Sequence, residues 1–144
     1  MTLFTIGFTR ASAETFFEKL ITAGVRTLID IRLNNTSQLA GFAKRDDLAY
    51  FLKKIGGIEY VHYPHWAPTA DILDNYKKKV ITWDQYEERF LSLIQSRGIE
   101  TEVLPSILNS GCLLCSEPKP DKCHRRLVAE YLQHHIPDLA VCHL

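Results

Sequence analysis

CLLCSEPKPDKCHRRLVAEYLQH, residues 112–134, is the stretch whose reading decides the fold. Cys112 to Cys115 is a short apolar run of strand length. Ser116-Glu117-Pro118-Lys119-Pro120 is a tight, proline-punctuated loop. Asp121 is placed to cap a helix running from Lys122 to about His134. Strand, loop and helix in that order make one half of a βαβ unit, and the same alternation recurs on either side of it.

Downstream, Leu139 to His143 reads as a last short strand. Upstream, Leu3 to Ile6 is a strand, punctuated by Gly7. Ser12 offers an N-cap to a helix in which Phe16, Phe17, Leu20 and Ile21 recur at helical spacing through Ala23, with Gly24 as the residue past its end. Val25 to Ile31 is a second strand, rich in β-branched and aliphatic side chains. Arg32 to Gly41 is polar and loop-like. Asp46 or Asp47 is expected to cap a helix carrying Leu48, Phe51, Leu52 and Ile55, stopped by Gly56-Gly57. Ile58 to Tyr63 reads as a third strand. Pro64 and Pro68 interrupt a loop that leads into a short helix over 72–78. Thr82 caps a helix with Tyr86, Phe90, Leu93 and Ile94, ending at Arg97-Gly98. Residues 100–109 match neither pattern. Strands separated by helices imply right-handed crossovers and a mostly parallel sheet flanked by helices, in a single α/β domain spanning 1–144.

Composition narrows the function classes. Hydrophobic residues make up 46% of the 144 positions, enough for a sizeable core. Lys plus Arg equals Asp plus Glu at 17 each, so no net charge pulls the chain toward nucleic acid or an acidic membrane. There is no apolar run of bilayer length, so no membrane partner is expected. The N-terminus lacks a basic region and a cleavage site, and a cytoplasmic location is expected. Four cysteines in such a setting favour thiol or metal chemistry over disulfides.

In parallel sheets, binding sites lie where strands end and helices begin. Three strand ends carry unusual polar residues: Gly7-Phe8-Thr9-Arg10, Asp30-Ile31-Arg32 and Cys115-Ser116-Glu117. The strongest constellation joins Cys115 and Glu117 to Cys123-His124-Arg125 at a helix start. A helix N-terminus favours negative charge, so a cysteine there loses its proton more easily, and an anion can dock with Arg125 as a bidentate contact. The bland alternative makes Cys123 a packing residue and Arg125 the ion-pair partner of Glu117. On the second strand, period two sends Asp30 and Arg32 to one side, either to orient a substrate or as a salt bridge. The loop Asn34-Asn35-Thr36-Ser37 adds hydrogen-bonding groups. Tyr60 and His62 share one face of the third strand, and His62 is a candidate base. His134-His135 reads as a solvated helix end and Cys142 as packing.

A zinc site from Cys112-x-x-Cys115 with Cys123-His124 has the right residue types. It fails on geometry, because an i, i+3 pair on an extended strand points to opposite faces, and adjacent Cys123 and His124 rarely ligate one ion together. No metal ligands are therefore assigned, and no cofactor is identified.

The same residues carry a resemblance. Thr5-Ile6-Gly7-Phe8-Thr9, Asp30-Ile31-Arg32, Gly41-Phe42-Ala43-Lys44, Gly57-Ile58-Glu59-Tyr60, and Leu114-Cys115-Ser116-Glu117 through Cys123-His124-Arg125-Arg126-Leu127-Val128-Ala129 are similar to the bacterial and archaeal family catalogued as domain of unknown function number four hundred and eighty-eight. The resemblance covers nearly the whole chain. It implies a Rossmann-like α/β domain and no settled activity. It places the family's polar positions on Asp30, Arg32, Cys115, Glu117, Cys123, His124 and Arg125, with Cys112 outside the pattern. Many relatives carry Leu-Gly-Gly where this chain has His65-Trp66-Ala67, and proline where it has Asn34-Asn35.

The expectation is an enzyme, a hydrolase or group transferase, acting on a small anionic or nucleotide-like ligand at the C-terminal edge of the sheet. Cys115 or Cys123 would be the nucleophile or thiolate, Asp30 or Glu117 the acid–base partner and His124 or His62 the proton shuttle. Arg125, Arg32, Thr9 and His62 would bind the substrate. Gly7-Phe8-Thr9 lacks the dinucleotide glycine run. Neither Cys115 nor Cys123 is followed by arginine at the spacing of a rhodanese- or phosphatase-type loop. The rival expectations are a nucleic-acid-associated binding protein using Lys77-Lys78-Lys79 with Tyr76 and Trp83, and a divalent-metal protein using His124, Glu117 and Asp30.

Overall fold

The alternation of apolar runs and amphipathic helices resolves into one parallel sheet with helices on both faces. The computed structural model describes residues 1–36 and 41–144. The elements run β1 (Thr2–Gly7), α1 (Ala13–Ala23), β2 (Thr27–Asp30), α2 (Arg45–Phe51), β3 (Glu59–His62), α3 (Ala70–Lys77), α4 (Trp83–Arg97), α5 (Pro105–Leu108), β4 (Gly111–Cys115), α6 (His124–His135) and β5 (Ala140–His143). Short turns of 3-10 helix cover Gly41–Ala43, Pro64–Trp66 and Ile99–Thr101, and α2 continues into a π turn over Leu52–Gly56.

The five strands lie in the order β3-β2-β4-β1-β5, and every pairing is parallel. The α/β class read from the sequence is therefore what the chain adopts. The order departs from the dinucleotide-binding arrangement, in which β1 sits beside β2. Here β4 is inserted between them, with Asp30 of β2 opposite Leu114 and Gly7 of β1 opposite Cys115.

Period two along the strands divides the core. Ile6, Leu28, Cys112 and Leu114 pack with Phe16, Phe17 and Leu20 of α1 and Leu48 of α2 on one face. Leu3, Ile29 and Leu113 pack with Phe90 and Ile94 of α4 and Leu127, Val128 and Leu132 of α6 on the other. The helix ends follow local chemistry. Ser12 accepts from the Thr15 amide at 3.1 Å, Thr82 and Gln85 form a reciprocal cap, and Gly24 and Gly98 close their helices with φ of 75° and 61°.

Two helix starts differ from expectation. α2 begins at Arg45 with Lys44 in the cap position, so Asp46 and Asp47 lie inside the first turn, where they still complement the dipole. α6 begins at His124, with Cys123 rather than Asp121 as its cap, because Pro120 and Asp121 are held in a turn that the Cys123 amide closes on the Pro120 carbonyl. Cys142, read as packing, is exposed on the edge strand β5.

Candidate functional site

β2 and β4 are neighbours whose connections leave in opposite directions and on opposite faces of the sheet. Such a divergence opens a crevice beyond the strands' C-terminal ends. A cavity of about 190 Å³ lies there. Arg32, Leu33 and Asn34 form the wall that follows β2. Cys115, Ser116 and Glu117 form the wall that follows β4, with Lys122, Cys123 and His124 beside it. Tyr76, Trp83 and Tyr86 close the third side from α3 and α4. Trp83 and Tyr86 stack with centroids 4.9 Å apart.

The first cluster on this cleft is sulfur and imidazole. Cys115 ends β4 on the same face as Leu113, and Cys112 lies buried in the opposite core. The geometric objection to a Cys112–Cys115 pair thus stands. Cys123 has an extended backbone (φ −138°, ψ 140°) and His124 is the first helical residue, so the chain turns sharply between them and both side chains converge on Cys115. The Sγ atoms of Cys115 and Cys123 are joined, with Cα atoms 7.3 Å apart. This corrects the expectation of two separate thiols. His124 Nδ1 lies 3.7 Å from Cys115 Sγ. Its Nε2 donates to the Ile31 carbonyl at 2.6 Å, and since a carbonyl only accepts, the proton is on Nε2 and the lone pair on Nδ1. Burial pulls the imidazole pKa down to about 4, and the Arg125 charge adds to that, against the opposing bond to Ile31. At neutral pH His124 is uncharged, with its free nitrogen toward sulfur. One ligand atom each from Cys115, Cys123 and His124 lie within 4.8 Å of one another.

The second cluster is an ion pair. Asp30, fully buried, accepts from Arg32 Nε and Nη2 at 2.8 Å each, from the Arg32 amide at 3.1 Å, from Asn35 at 3.4 Å and from the Tyr60 hydroxyl. Burial alone would raise its pKa, but the hydrogen bonds and charge of Arg32, with Tyr60, hold it below the usual carboxylate value. Every lone pair of Asp30 is occupied, and it does not line the cleft. Period two puts it beside Arg32, and of the two readings of that pair the salt bridge is the one formed. Arg32 keeps one group uncommitted. Its Nη1 is buried, has no hydrogen-bond partner among the described residues, and belongs to a side chain that lines the cavity. The guanidinium rests over the Phe8 ring at 5.2 Å.

The remaining expected residues separate. Arg125, expected as an anion clamp, is fully buried and lies outside the cleft lining. As the second residue of α6 it points down onto the sheet. There Nε donates to Thr5 Oγ1 at 3.3 Å and Nη1 donates to the backbone carbonyl of Glu117. The Arg125–Glu117 pairing is thus made through the main chain, not the carboxylate. Gly7 permits it, because a Cβ there would overlap the Glu117 carbonyl and Arg125 Nη1. The Glu117 side chain is exposed at the cleft rim. Thr9 is exposed and donates its amide to the Ser116 carbonyl at 3.0 Å, outside the lining. His62 sits beyond it too: its Nε2 donates to the Arg32 carbonyl at 2.9 Å and the ring borders a separate depression with Tyr63, His65 and Glu102. Ser37 lies outside the described residues.

Sequence reasoning missed Tyr60 and Asn35 as partners of Asp30, and Lys122, Tyr86 and Leu33 as lining. Alternation had put Tyr60 on the correct face, and only the strand order shows that this face looks at Asp30. Tyr76, Lys77 and Trp83, grouped for nucleic acid, line the same cavity as Cys115.

Residues 12–132 match the model of a family described as domain of unknown function DUF488. No curated protein and no solved structure matches the chain.

Proposed function

The chain belongs to the DUF488 family, over most of its length, and on that premise we propose an enzyme of the hydrolase or group-transferase kind that acts on a small anionic substrate in the cleft between β2 and β4. One observation carries the reading. A buried guanidinium N–H of Arg32 without a partner among the described residues and a sulfur–imidazole cluster line one small cavity. A buried donor left unpaired costs stability, and an anion seated on Nη1 removes that cost while gaining a charge-assisted bond.

Asp30 fixes the guanidinium by two hydrogen bonds, so little entropy is lost when the anion docks. Lys122 at the rim adds positive charge. Tyr86 and Trp83 give the rest of the substrate an apolar wall. The reacting group is held over Cys115, Cys123 and His124, and neutral His124 is in the state that accepts a proton.

Thermal-shift screening with phosphate- and carboxylate-bearing metabolites, followed by calorimetry on the hits, tests the proposal. Arg32→Lys keeps a cation beside Asp30 but removes Nη1, and binding is expected to weaken about tenfold or more. His62→Ala, outside the cavity, leaves binding unchanged. A folded Arg32→Lys protein that binds the hits as the parent does overturns the assignment.

A further inference from the structure

We propose that the reduced protein binds a thiophilic divalent ion of the zinc type through Cys115 Sγ, Cys123 Sγ and His124 Nδ1, with the remaining coordination position open to the cleft. The inference deepens the reading of this cleft as a reaction site by naming what occupies its reactive corner.

Three independent features point to it. The first is convergence: one sulfur from the end of β4, one from the cap of α6 and one ring nitrogen from its first turn lie within 4.8 Å of each other. The second is the state of the imidazole. A metal-bound histidine characteristically donates its other N–H to a carbonyl or carboxylate, which fixes ring orientation and tautomer. His124 does this through Nε2 to Ile31, leaving Nδ1 free and 3.7 Å from the Cys115 sulfur. Two cysteines that only bridged one another would need no such nitrogen. The third is the backbone. The Cys115 and Cys123 Cα atoms are 7.3 Å apart, wider than the roughly 4.4–6.8 Å that disulfides usually span. Two side chains reaching a shared ion tolerate that separation.

The ligand set decides the class of ion. Two thiolates and one imidazole select zinc-like metals over calcium or magnesium. Three protein ligands, with a fourth position for water or substrate, are the mark of a catalytic rather than a structural zinc. Both cysteines lie on the cavity wall, and so does Arg32. A substrate anion on Arg32 is thereby brought to the ion. On loading, the two thiols release two protons to solvent, and the two thiolates balance the dication.

The experiment is a cobalt titration of the full chain, purified without a histidine tag, chelator-treated and fully reduced. One equivalent of Co²⁺ is expected to give the visible bands of tetrahedral cobalt together with near-ultraviolet thiolate-to-cobalt charge transfer, and one equivalent of Zn²⁺ bleaches both. Cys115→Ser, Cys123→Ser and His124→Ala, each checked for folding by circular dichroism, are expected to weaken binding by more than the roughly 10–100-fold cost of losing an outer-shell partner. Cys142→Ser leaves the spectrum unchanged. Absence of charge-transfer bands in the reduced, folded parent overturns the inference, and so does equal binding by a folded Cys123→Ser protein. The two proposals fail separately: a protein that binds anions in the cleft without cobalt refutes only the metal, and one that binds cobalt with no anion dependent on Arg32 refutes only the enzyme reading.

Discussion

Asp30 and Cys115 end neighbouring parallel strands, and they have opposite fates. The β2 end is closed: the Asp30 carboxylate takes Arg32, Tyr60 and Asn35, and burial tightens each bond by excluding water. The β4 end is open: His124 Nδ1 faces sulfur with no proton donor on it, and the cavity begins there. The Asp30 carboxylate, with its lone pairs taken, holds Arg32 in place, while Arg32 Nη1 and His124 Nδ1 belong to side chains that line the cavity.

That contrast breaks first at Asp30. Asp30→Ala leaves Arg32 as an uncompensated buried charge and is expected to cost about 3–5 kcal/mol in urea unfolding. If Asp30 were instead an acid–base catalyst, turnover would fall with stability nearly intact.

On the open side, the metal-free protein should be acid-sensitive in a defined window. His124 has a folded pKa of about 4, below the ordinary 6.5. The unfolded chain therefore binds more protons between those values, so stability is complete above about 6.5 and is lost as pH falls toward 4. The loss is on the order of 3 kcal/mol. Comparing urea midpoints near neutrality and near pH 4.5, wild type against His124→Gln, reads it; identical slopes would show that the ring is charged or solvated.

Smaller changes sharpen the division. Tyr60→Phe removes one bond to the buried carboxylate and should cost about 1.5–3 kcal/mol while raising the Asp30 pKa, with anion binding in the cleft retained. His62→Ala loses its bond to the Arg32 carbonyl, about 1 kcal/mol, visible as a small shift in the unfolding midpoint. At the bottom of the scale, Cys142→Ser, exposed on β5, is expected within about 0.5 kcal/mol of the parent. A larger change there would mean that the Cys142 side chain is covered in solution.

Much of the fold was legible in the residues. Ser12, Gly24, Thr82 and Gly98 each announced a helix end through backbone chemistry that needs no tertiary context. Alternation alone placed Asp30 with Arg32 and separated Cys112 from Cys115. The helix starts at Arg45 and His124 were misjudged because an aspartate that can cap need not be the one that does, once a neighbouring turn fixes the chain.

The cleft was only half legible. Its polar residues were named, yet Arg125, Thr9 and His62 were drawn into it and Tyr86 and Lys122 were left out. Local pattern and spacing fix which residues end strands, and the sequence by itself determined that Cys115, Asp30 and the Cys123-His124 helix start lie at one edge of a parallel sheet. It could not determine that β4 slides between β1 and β2, since strand order is set by long-range packing of two cores. That insertion turned Arg125 inward onto Thr5 and set His124 against Ile31. Which polar atoms found partners, and which were left facing the cavity, was decided by tertiary structure because a hydrogen bond depends on ångström-scale separation across strands far apart in sequence.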